Sequence, residues 1–322
     1  MAIEEIKVED LDAEAFIAEQ VEAIKEAVGD GLAVNALSGG VDSSAVTLLG
    51  HKALGDRLKT YFVDHGLMRE GEPQFVVDTF AELGVKVELV DSRKEFFAAL
   101  KGVTDPEEKR KIGITQTFYK DVFARLVKES GAKVLLQGTI LTDVDETLAG
   151  IKAQHNVLEQ MGIDTEEAYG YKVVEPVIRL RKPGVRVIAK ALGLPDSISE
   201  RPPFPGPALT ARVIGEATPE RIDLVRKATV IVEEELKPVD CFQCMAILHE
   251  DRVTGIRDGG RDFGLQIEVR SWDTKDAVTA TPVRVPWDIL EKIADRMTSE
   301  VPGVVSVTYN ITRKPPVTME AV

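Results

Sequence analysis

The stretch Ala33–Gly50, AVNALSGGVDSSAVTLLG, sets the fold of the first part of this chain. Its opening apolar run, Ala33–Leu37, ends at glycines, as a buried strand does, and Ser43–Leu54 has the periodicity of a helix. Gly39 and Gly40 let the backbone turn tightly between the two elements and leave no Cβ in the way of a ligand. We therefore predict a strand, a glycine-rich loop and a helix in direct succession.

This loop has the chemistry of a phosphate-binding site. The N-terminus of the following helix presents unpaired N–H groups and a partial positive charge, and Ser38, Ser43 and Ser44 add hydroxyl donors. Asp42 suits an anion site only where a divalent cation joins the two, so we expect Asp42 to bind Mg²⁺. The alternative is a plain strand-to-helix turn in which Ser or Asp caps the helix. The loop matches neither the GxxxxGK(S/T) pattern nor the GxGxxG pattern.

The first 200 residues alternate apolar strands with amphipathic helices. Further strands are predicted at Leu58–Val63, Val85–Val90 and Val134–Gln137, with helical stretches between them. This alternation is typical of a parallel sheet covered by helices on both faces. We predict an α/β, doubly wound domain over residues 1–200.

The pattern changes at residue 201. RPPFPGPAL, residues 201–209, places four prolines and a glycine in nine residues, which excludes a helix or a central strand. Two helices are then predicted, Pro219–Leu236 and Trp287–Glu300, together with three strand-like runs. We predict a smaller α+β domain over residues 201–322.

Composition limits the classes of function. The chain has 322 residues, with 40 Lys and Arg against 54 Asp and Glu, and its net charge is −14, so a globally basic surface for nucleic acid is excluded. No stretch approaches the ~20 apolar residues of a membrane span, and the N-terminus lacks the apolar core of a secretion signal. Two cysteines cannot form a disulfide framework. We expect a cytoplasmic protein without nucleic-acid or membrane partners.

SGGVDS, residues 38–43, resembles the PP-loop of the N-type ATP pyrophosphatases. Enzymes of that family split ATP between the α and β phosphates and place AMP on a substrate oxygen. A nitrogen or sulfur nucleophile then displaces the AMP. The resemblance implies ATP as a substrate with Mg²⁺, and Asp42 as a catalytic and metal-binding residue. It implies phosphate binding by the rest of the loop: Ser38, Gly39, Gly40, Val41, Ser43 and Ser44.

Later segments resemble the ATP-pyrophosphatase part of GMP synthetases, and they cover essentially the whole chain in the same order. They are LKGVTDPEEKRKIG (100–113), QGTILTDVDET (137–147), IKAQHN (151–156), PFPGPALTARVIGE (203–216), DAVTA (276–280) and KPPVTME (314–320). The resemblance implies adenylation of the C2 oxygen of xanthosine 5′-monophosphate (XMP). Ammonia would then displace AMP to give GMP.

The same resemblance implies roles for residues outside the loop. The lid motif would close Lys109 and Lys111 over the phosphates, with Lys109 catalytic; a solvated helix face is the alternative. Asp143, just past a strand end, would contact the metal or the activated base, unless it simply caps a helix. The remaining ATP-binding positions are Val63, His65 and Gly138.

By resemblance, the second domain forms a homodimer and completes the acceptor site. Lys314 would contact the substrate phosphate, and Glu320 a polar group of the sugar or base. The alternative for Glu320 is a frayed, solvated terminus. Arg212 is a further candidate phosphate ligand, and Glu146 is a further acceptor-binding residue.

Several positions on the acceptor side depart from the family pattern. Gln154 stands where the family has His, Ser306 where it has Arg, and Asn310 where it has Asp. Lost Arg and His groups remove charge-assisted hydrogen bonds to a nucleotide. A paralogue that adenylates a different acceptor, with amination or sulfur transfer, is therefore the alternative function. The intact loop disfavours a third hypothesis, a catalytically silent nucleotide-binding homologue.

The only two cysteines form a C-x-x-C pair, Cys241 and Cys244. The spacing allows a redox pair or half of a metal site, but no second cysteine pair exists. Two cysteines at the start of a strand are the favoured interpretation. Neither lies in the context of a glutaminase nucleophile. We therefore expect a separate glutamine amidotransferase subunit, or the use of free ammonia.

Overall fold

The computed structural model describes residues 3–148, 170–202, 204–257, 259–274 and 278–321. The chain divides into two compact units that interleave along the sequence. The first unit comprises Met1–Asp64, Pro73–Asp91 and Tyr119–Arg201, and the second comprises His65–Glu72, Ser92–Phe118 and Pro202–Val322. Two short segments from the first 200 residues thus group with the second unit, which their hydrophobic patterning did not indicate. The division into domains at residue 200 stays a prediction.

Five parallel strands form the sheet of the first unit, in the order β3-β2-β1-β4-β5. The strands are β1 Ala33–Ala36, β2 Leu58–Asp64, β3 Val87–Asp91, β4 Val134–Leu136 and β5 Lys172–Val174. The chain moves outward in one direction from β1 to β3 and then crosses back to β4, on the other side of β1. Because such crossovers are right-handed, the two directions place their helices on opposite faces. The predicted doubly wound α/β fold is confirmed.

The strand order reverses between β1 and β4, and this is the switch point at which sheets of this kind bind ligands. The register pairs Ala33 with Leu58 on one side and with Val134 on the other. The loops that leave β1 and β4 therefore diverge from neighbouring carboxyl ends of the sheet. These are the loops that carry SGGVDS and QGT.

Eleven helices occur in the described residues, and their bounds follow the polar and apolar patterning. They are α1 Ala13–Val28, α2 Val41–Leu54, α3 Glu72–Glu82, α4 Arg93–Ala99, α5 Pro106–Arg110, α6 Ala124–Ser130, α7 Leu141–Leu148, α8 Lys182–Ala191, α9 Asp196–Ser199, α10 Pro219–Glu235 and α11 Trp287–Glu300. A helical stretch of π type, Lys111–Phe123, joins α5 to α6. Single turns of 3₁₀ helix lie at Val8–Asp10 and Gly55–Arg57, and a slightly longer one at Ala208–Arg212. None of the helices in the described ranges is long and apolar enough to cross a membrane.

A buried polar network fixes β1 against its neighbours. Asn35 is almost fully buried, and its Nδ2 donates to Thr47 Oγ1 in α2 at 2.6 Å. Thr60 Oγ1 in β2 donates to Asn35 Oδ1 at 2.8 Å. Because an unsatisfied amide in this position would be costly, the three side chains specify one arrangement of strand and helix. The loop between β1 and α2 is thereby held at both ends.

The second unit contains a mixed sheet built on a long antiparallel hairpin. β6 Gln243–Arg257 pairs with β7 Gly260–Asp273, and the other edge of β7 pairs with β8 Thr281–Pro282 and, in parallel, with β9 Val304–Tyr309. Helix α10 packs on β6, and α11 packs on β9. The predicted α+β character of this part is confirmed. The predicted helices Pro219–Leu236 and Trp287–Glu300 match α10 and α11 to within one residue.

Candidate active site

The loop after β1 presents an uncapped helix N-terminus. Gly39 has φ +79°, a backbone conformation that glycine adopts without strain. The helix begins at Val41, two residues before the predicted start, and its N-cap is Gly40, which has no side chain to cap it. The predicted alternative, a turn capped by Ser or Asp, is therefore wrong. The first N–H groups of α2 are free of side-chain caps, as an anion site requires.

Two serine side chains stabilise this loop from within. Ser38 Oγ and Ser43 Oγ lie 2.9 Å apart, and Ser43 Oγ also donates to the carbonyl of Gly40 at 3.1 Å. The backbone N–H of Ser38 donates to Ser43 Oγ at 3.2 Å. Ser44 is fully buried, and its Oγ has no hydrogen-bond partner among the described residues. The loop is thus preorganised by its own hydroxyl groups, which keeps its N–H groups in position for a ligand.

Gly138 allows the loop after β4 to approach the loop after β1. A Cβ at Gly138 would lie 3.1 Å from the carbonyl carbon of Asp42 and 3.1 Å from the N of Ser43. Both are backbone atoms, which cannot move away as a flexible side chain can. The glycine predicted as an ATP-binding residue is therefore at a close backbone approach, directly beside the phosphate loop.

We expect Gly138→Ala to lower the rate of pyrophosphate release about 10-fold, because the loop must shift by a few tenths of an ångström to admit the methyl group. The φ of Gly138 is not positive, so alanine is not strained there. Steady-state kinetics with ATP measure the effect. Gly260→Ala is the matched control, because its nearest contact is an ordinary 3.7 Å from the carbonyl of Arg257. Equal rates for the two variants would contradict the role of this close approach.

Asp42 lies in the first turn of α2 and meets a cation that the sequence analysis missed. Its Oδ2 accepts a hydrogen bond from Lys182 Nζ, at the start of α8. Its Oδ1 is buried and has no hydrogen-bond partner in the described part of the chain. The signal that could have found Lys182 is its position, because a cation in the first turn of a helix is opposed by the helix dipole.

The free oxygen of Asp42 fits the expected Mg²⁺ site. Within the described ranges, no group of three or more His, Cys, Asp or Glu side chains could enclose a metal by itself. Mg²⁺ in nucleotide sites is commonly held by one or two carboxylates together with substrate phosphates. One carboxylate oxygen beside an anion-binding helix terminus meets that description.

The remaining predicted residues of the first unit occupy three kinds of position. Asp143 Oδ2 accepts from the backbone N–H of Ile140 at 3.1 Å, which is the capping contact at the start of α7. Glu146 is half-buried in the same helix. Val63 is buried in β2. The helix-capping alternative for Asp143 is thus observed, and its predicted contact with metal or base stays a prediction.

His65 belongs to the second unit, and its ring is neutral at pH 7. Burial lowers its pKa to about 4. Its Nδ1 accepts from the backbone N–H of Leu67 at 3.1 Å, so the neutral tautomer carries its proton on Nε2. The ring packs against Phe96, with centroids 5.2 Å apart. This arrangement leaves His65 one outward donor and no charge.

The two lid lysines lie in opposite environments. Lys111 is exposed, whereas Lys109 is 1% exposed and its Nζ donates to the carbonyl of Val213 at 2.7 Å. Burial, with a smaller contribution from the nearby Arg221, lowers the pKa of Lys109 to about 8. The solvated-face alternative is wrong for Lys109.

Arg212 and Glu320, predicted separately as acceptor residues, meet in the second unit. Arg212 is fully buried, and its Nε and Nη2 contact the two carboxylate oxygens of Glu320 at 3.3 and 3.4 Å. Gln243 Nε2 donates to Glu320 at 2.9 Å. Glu320 is only 17% exposed, so the alternative of a frayed, solvated terminus is wrong. Gln243 is a further residue that the sequence analysis did not select.

Lys314 is half-buried, and its backbone is held from both directions. Its N–H donates to the carbonyl of Ala280 at 2.9 Å and its carbonyl accepts from Ala280 at 3.1 Å. Asn310 closes a local turn with Thr312, through contacts of 3.1 and 3.2 Å. Gln154, a departure from the family pattern, lies outside the described residues.

Cys241 and Cys244 are both free and half-buried. Hydrogen bonds from Cys244 and from Ser271 lower the pKa of the Cys241 thiol to about 6. The shared hydrogen bond raises the pKa of Cys244, so at most one of the two thiols is ionised at neutral pH. The two cysteines flank the start of β6, as the sequence analysis favoured.

Comparison with protein families agrees with this geometry. The family model "Asparagine synthase" matches residues 21–165, which contain both loops at the switch point, and "GMP synthase C terminal domain" matches residues 231–321. The first match, with the phosphate loop, puts the chain in the class of PP-loop ATP pyrophosphatases.

Two curated relatives narrow the class. The B-type subunit of GMP synthase (glutamine-hydrolyzing) from Archaeoglobus fulgidus is 49% identical over 96% of this chain and 99% of that protein. The protein of the same name from Pyrococcus furiosus is 48% identical over 95% of this chain and 97% of that protein. The chain belongs to this family of B-type GMP synthase subunits. Among solved structures, NMN synthetase from Francisella tularensis has a TM-score of 0.48 and 15% identity, covering 62% of this chain and 78% of that one.

Proposed function

We propose that this protein is the ATP-pyrophosphatase subunit of a two-subunit GMP synthase, a ligase that forms a C–N bond. It adenylates the C2 oxygen of XMP and lets ammonia displace AMP, which gives GMP, AMP and pyrophosphate. Membership of the B-type family supports the reaction, and a separate glutamine-hydrolysing subunit supplies the ammonia. The observation that carries the proposal is the uncapped SGGVDS loop at the switch point of the sheet.

The phosphate loop binds the part of ATP that leaves as pyrophosphate. The N–H groups of residues 39–41 and the hydroxyl groups of Ser38, Ser43 and Ser44 donate to phosphate oxygens. Asp42 holds Mg²⁺ through its free Oδ1, and this ion, when bound, stabilises the negative charge that collects on the pyrophosphate. Because the loop is already ordered by its own hydrogen bonds, little reorganisation is required when charge develops.

Lys109 and Lys111 add positive charge to the phosphates when the lid closes. In the structure Lys109 donates to the carbonyl of Val213, so closure exchanges that neutral acceptor for a charged one. A charge-assisted bond to phosphate is the stronger of the two. The pKa of about 8 means that Lys109 is mostly protonated at pH 7 and able to make it. Val63, the uncharged His65 and Gly138 complete the ATP site, and Asp143 contacts the metal or the activated base.

The acceptor site is built around Glu320. Arg212 and Gln243 hold its carboxylate, which accepts a hydrogen bond from the sugar or base of XMP. Lys314 and Arg212 bind the phosphate of XMP, and Glu146 contributes a further polar contact. Arg212 Nη1 is buried and has no hydrogen-bond partner within the described ranges, so this donor is available for a ligand.

The reaction itself is the test of this function. With Mg-ATP, XMP and ammonium, the purified chain should release AMP, pyrophosphate and GMP in equal amounts, and glutamine should not replace ammonium unless the partner subunit is added. Coupled assays for pyrophosphate and chromatography of the nucleotides measure the products. ATP binding without XMP-dependent pyrophosphate release would overturn the proposal and favour a different acceptor. The proposal includes a cytoplasmic homodimer, in keeping with the two free thiols; sedimentation of the same preparation as a monomer at micromolar concentration would remove the dimer.

A further inference from the structure

Residues 314–321, which we call the acceptor segment, carry both Lys314 and Glu320. Half-buried apolar side chains hold one side of this segment to the sheet of the second unit. Val317, Met319 and Ala321 pack on a buried cluster made of Met245, Ile247, Trp272 and Ala280. Apolar contact of this kind fixes the position of a segment but sets the direction of its polar side chains only loosely.

Arg270 contacts the main chain of the acceptor segment at three consecutive residues. It lies in β7 and is only 7% exposed. Its Nη1 donates to the carbonyl of Thr318 at 2.9 Å and lies 3.3 and 3.4 Å from the carbonyls of Met319 and Glu320. Trp272, two residues along the same strand, adds a bond from Nε1 to the carbonyl of Met319 at 3.2 Å.

The direction of the Arg270 guanidinium is set in turn by an acid. Its Nε donates to Glu268 Oε1 at 2.6 Å, and the other oxygen of Glu268 lies 2.8 Å from His249 Nε2. A planar guanidinium held at one edge by a carboxylate presents its remaining donors in a fixed direction. Arg270 therefore meets the acceptor segment with its donors already aimed.

Glu320 is consequently held at both ends by guanidinium groups. Arg212 contacts its carboxylate at 3.3 and 3.4 Å, which are long distances for a charged pair and leave the carboxylate some freedom. Arg270 contacts its carbonyl and those of the two preceding residues. The main-chain contact removes the freedom that the side-chain contact leaves.

We propose that Arg270 is a positioning residue for the acceptor site, holding the main chain at residues 318–320 so that the Glu320 carboxylate meets XMP in one orientation. The inference rests on the proposed function, because the contact between Glu320 and XMP is part of it. Arg270 itself touches no substrate in this proposal. Its effect should appear in XMP binding and be absent from ATP binding.

Arg270→Lys is the variant that tests this role, because it keeps the charge beside Glu268 but loses the planar fork. We expect the KM for XMP and its calorimetric Kd to rise about 10-fold or more, since small misplacements of a contacting group have effects of that size. The KM for ATP should stay within about twofold. Arg257→Lys is the matched control: Arg257 also donates to a main-chain carbonyl, that of Val304 at 2.9 Å, and pairs with an acid, Asp262. An unchanged affinity for XMP, or equal changes in the two variants, would overturn the inference.

A double-mutant cycle with Glu320→Gln separates this inference from the proposed function. If Arg270 acts through Glu320, Arg270→Lys should change XMP affinity by less than about twofold in the Glu320→Gln background. The full single-variant effect in that background would overturn the positioning role. If Glu320→Gln alone leaves XMP affinity unchanged, the proposed acceptor site fails instead. Should Arg270→Lys not fold, Glu268→Gln replaces it in the cycle, with a smaller rise expected and the same criteria.

Discussion

Asp42→Asn is expected to lower the rate of Mg²⁺-dependent pyrophosphate release by about 100-fold to 1,000-fold, the range seen when one charge-stabilising group is removed from an active site. Asn keeps the shape of the side chain but loses the negative charge that would hold the cation. The buried Oδ1, which has no protein partner in the described residues, is the atom whose chemistry changes. The measurement is single-turnover pyrophosphate release across a range of Mg²⁺ concentrations.

The same substitution should leave the fold intact. Asp42 loses its pair with Lys182, whose side chain is 46% exposed, and exposed pairs contribute only ~0–1 kcal/mol. The melting temperature should therefore change by a few degrees at most. Asp196→Asn is the matched control, because Asp196 also pairs with a half-exposed lysine of α8, Lys190, and has no proposed role. Turnover by Asp42→Asn at the rate of the control would exclude Asp42 from the site.

Lys314→Ala is expected to weaken XMP binding by ~1.5–3 kcal/mol, the size of a hydrogen bond to a charged group, which is ~10–150-fold in affinity. The backbone of residue 314 is bonded to Ala280 in both directions, so losing the side chain should not release the acceptor segment. The KM for ATP should stay within about twofold. Titration calorimetry with XMP, together with steady-state kinetics for both substrates, measures the two effects separately.

Lys227→Ala is the control for this second change. Lys227 is a half-exposed lysine of α10, paired with Asp223 at 2.9 Å, and it carries no proposed role. Its substitution removes the same charge from the same unit, so a general effect of net charge on a nucleotide would appear in both variants. Equal losses of XMP affinity in both, or a parallel rise in the KM for ATP with Lys314→Ala, would remove Lys314 from the acceptor site.

The phosphate loop was predictable because everything that forms it is local. The apolar run of β1, the glycines and the start of α2 are adjacent in the chain, and the observed helix begins only two residues before the predicted one. Long strands were predicted less well. The runs Cys244–Leu248 and Leu265–Val269 are the buried parts of strands that extend to Gln243–Arg257 and Gly260–Asp273. The additional residues are mostly exposed or half-buried and lack apolar patterning, so only their pairing across the hairpin reveals them.

The contacts that complete the candidate site could not be predicted, because they join residues far apart in the chain. Lys182 follows Asp42 by 140 positions. Gly138 meets the backbone of the loop only because β4 lies beside β1. Lys109 looked solvated within a charged run, yet its amine is buried against a carbonyl 104 residues later.

Residue types at short spacing were enough to establish the chemistry: an anion-binding loop with one carboxylate, a set of lysines, and the family to which the chain belongs. Such patterns can be read before the chain is folded, because their members are neighbours in sequence. Which groups hold one another is a property of the folded chain alone. Arg212 and Glu320 were separate predictions 108 residues apart, and burial of the guanidinium makes them a pair that also engages Gln243. Removing a charge from water is costly unless a partner is present, so the interior of the fold, and not the local pattern, selects the partner.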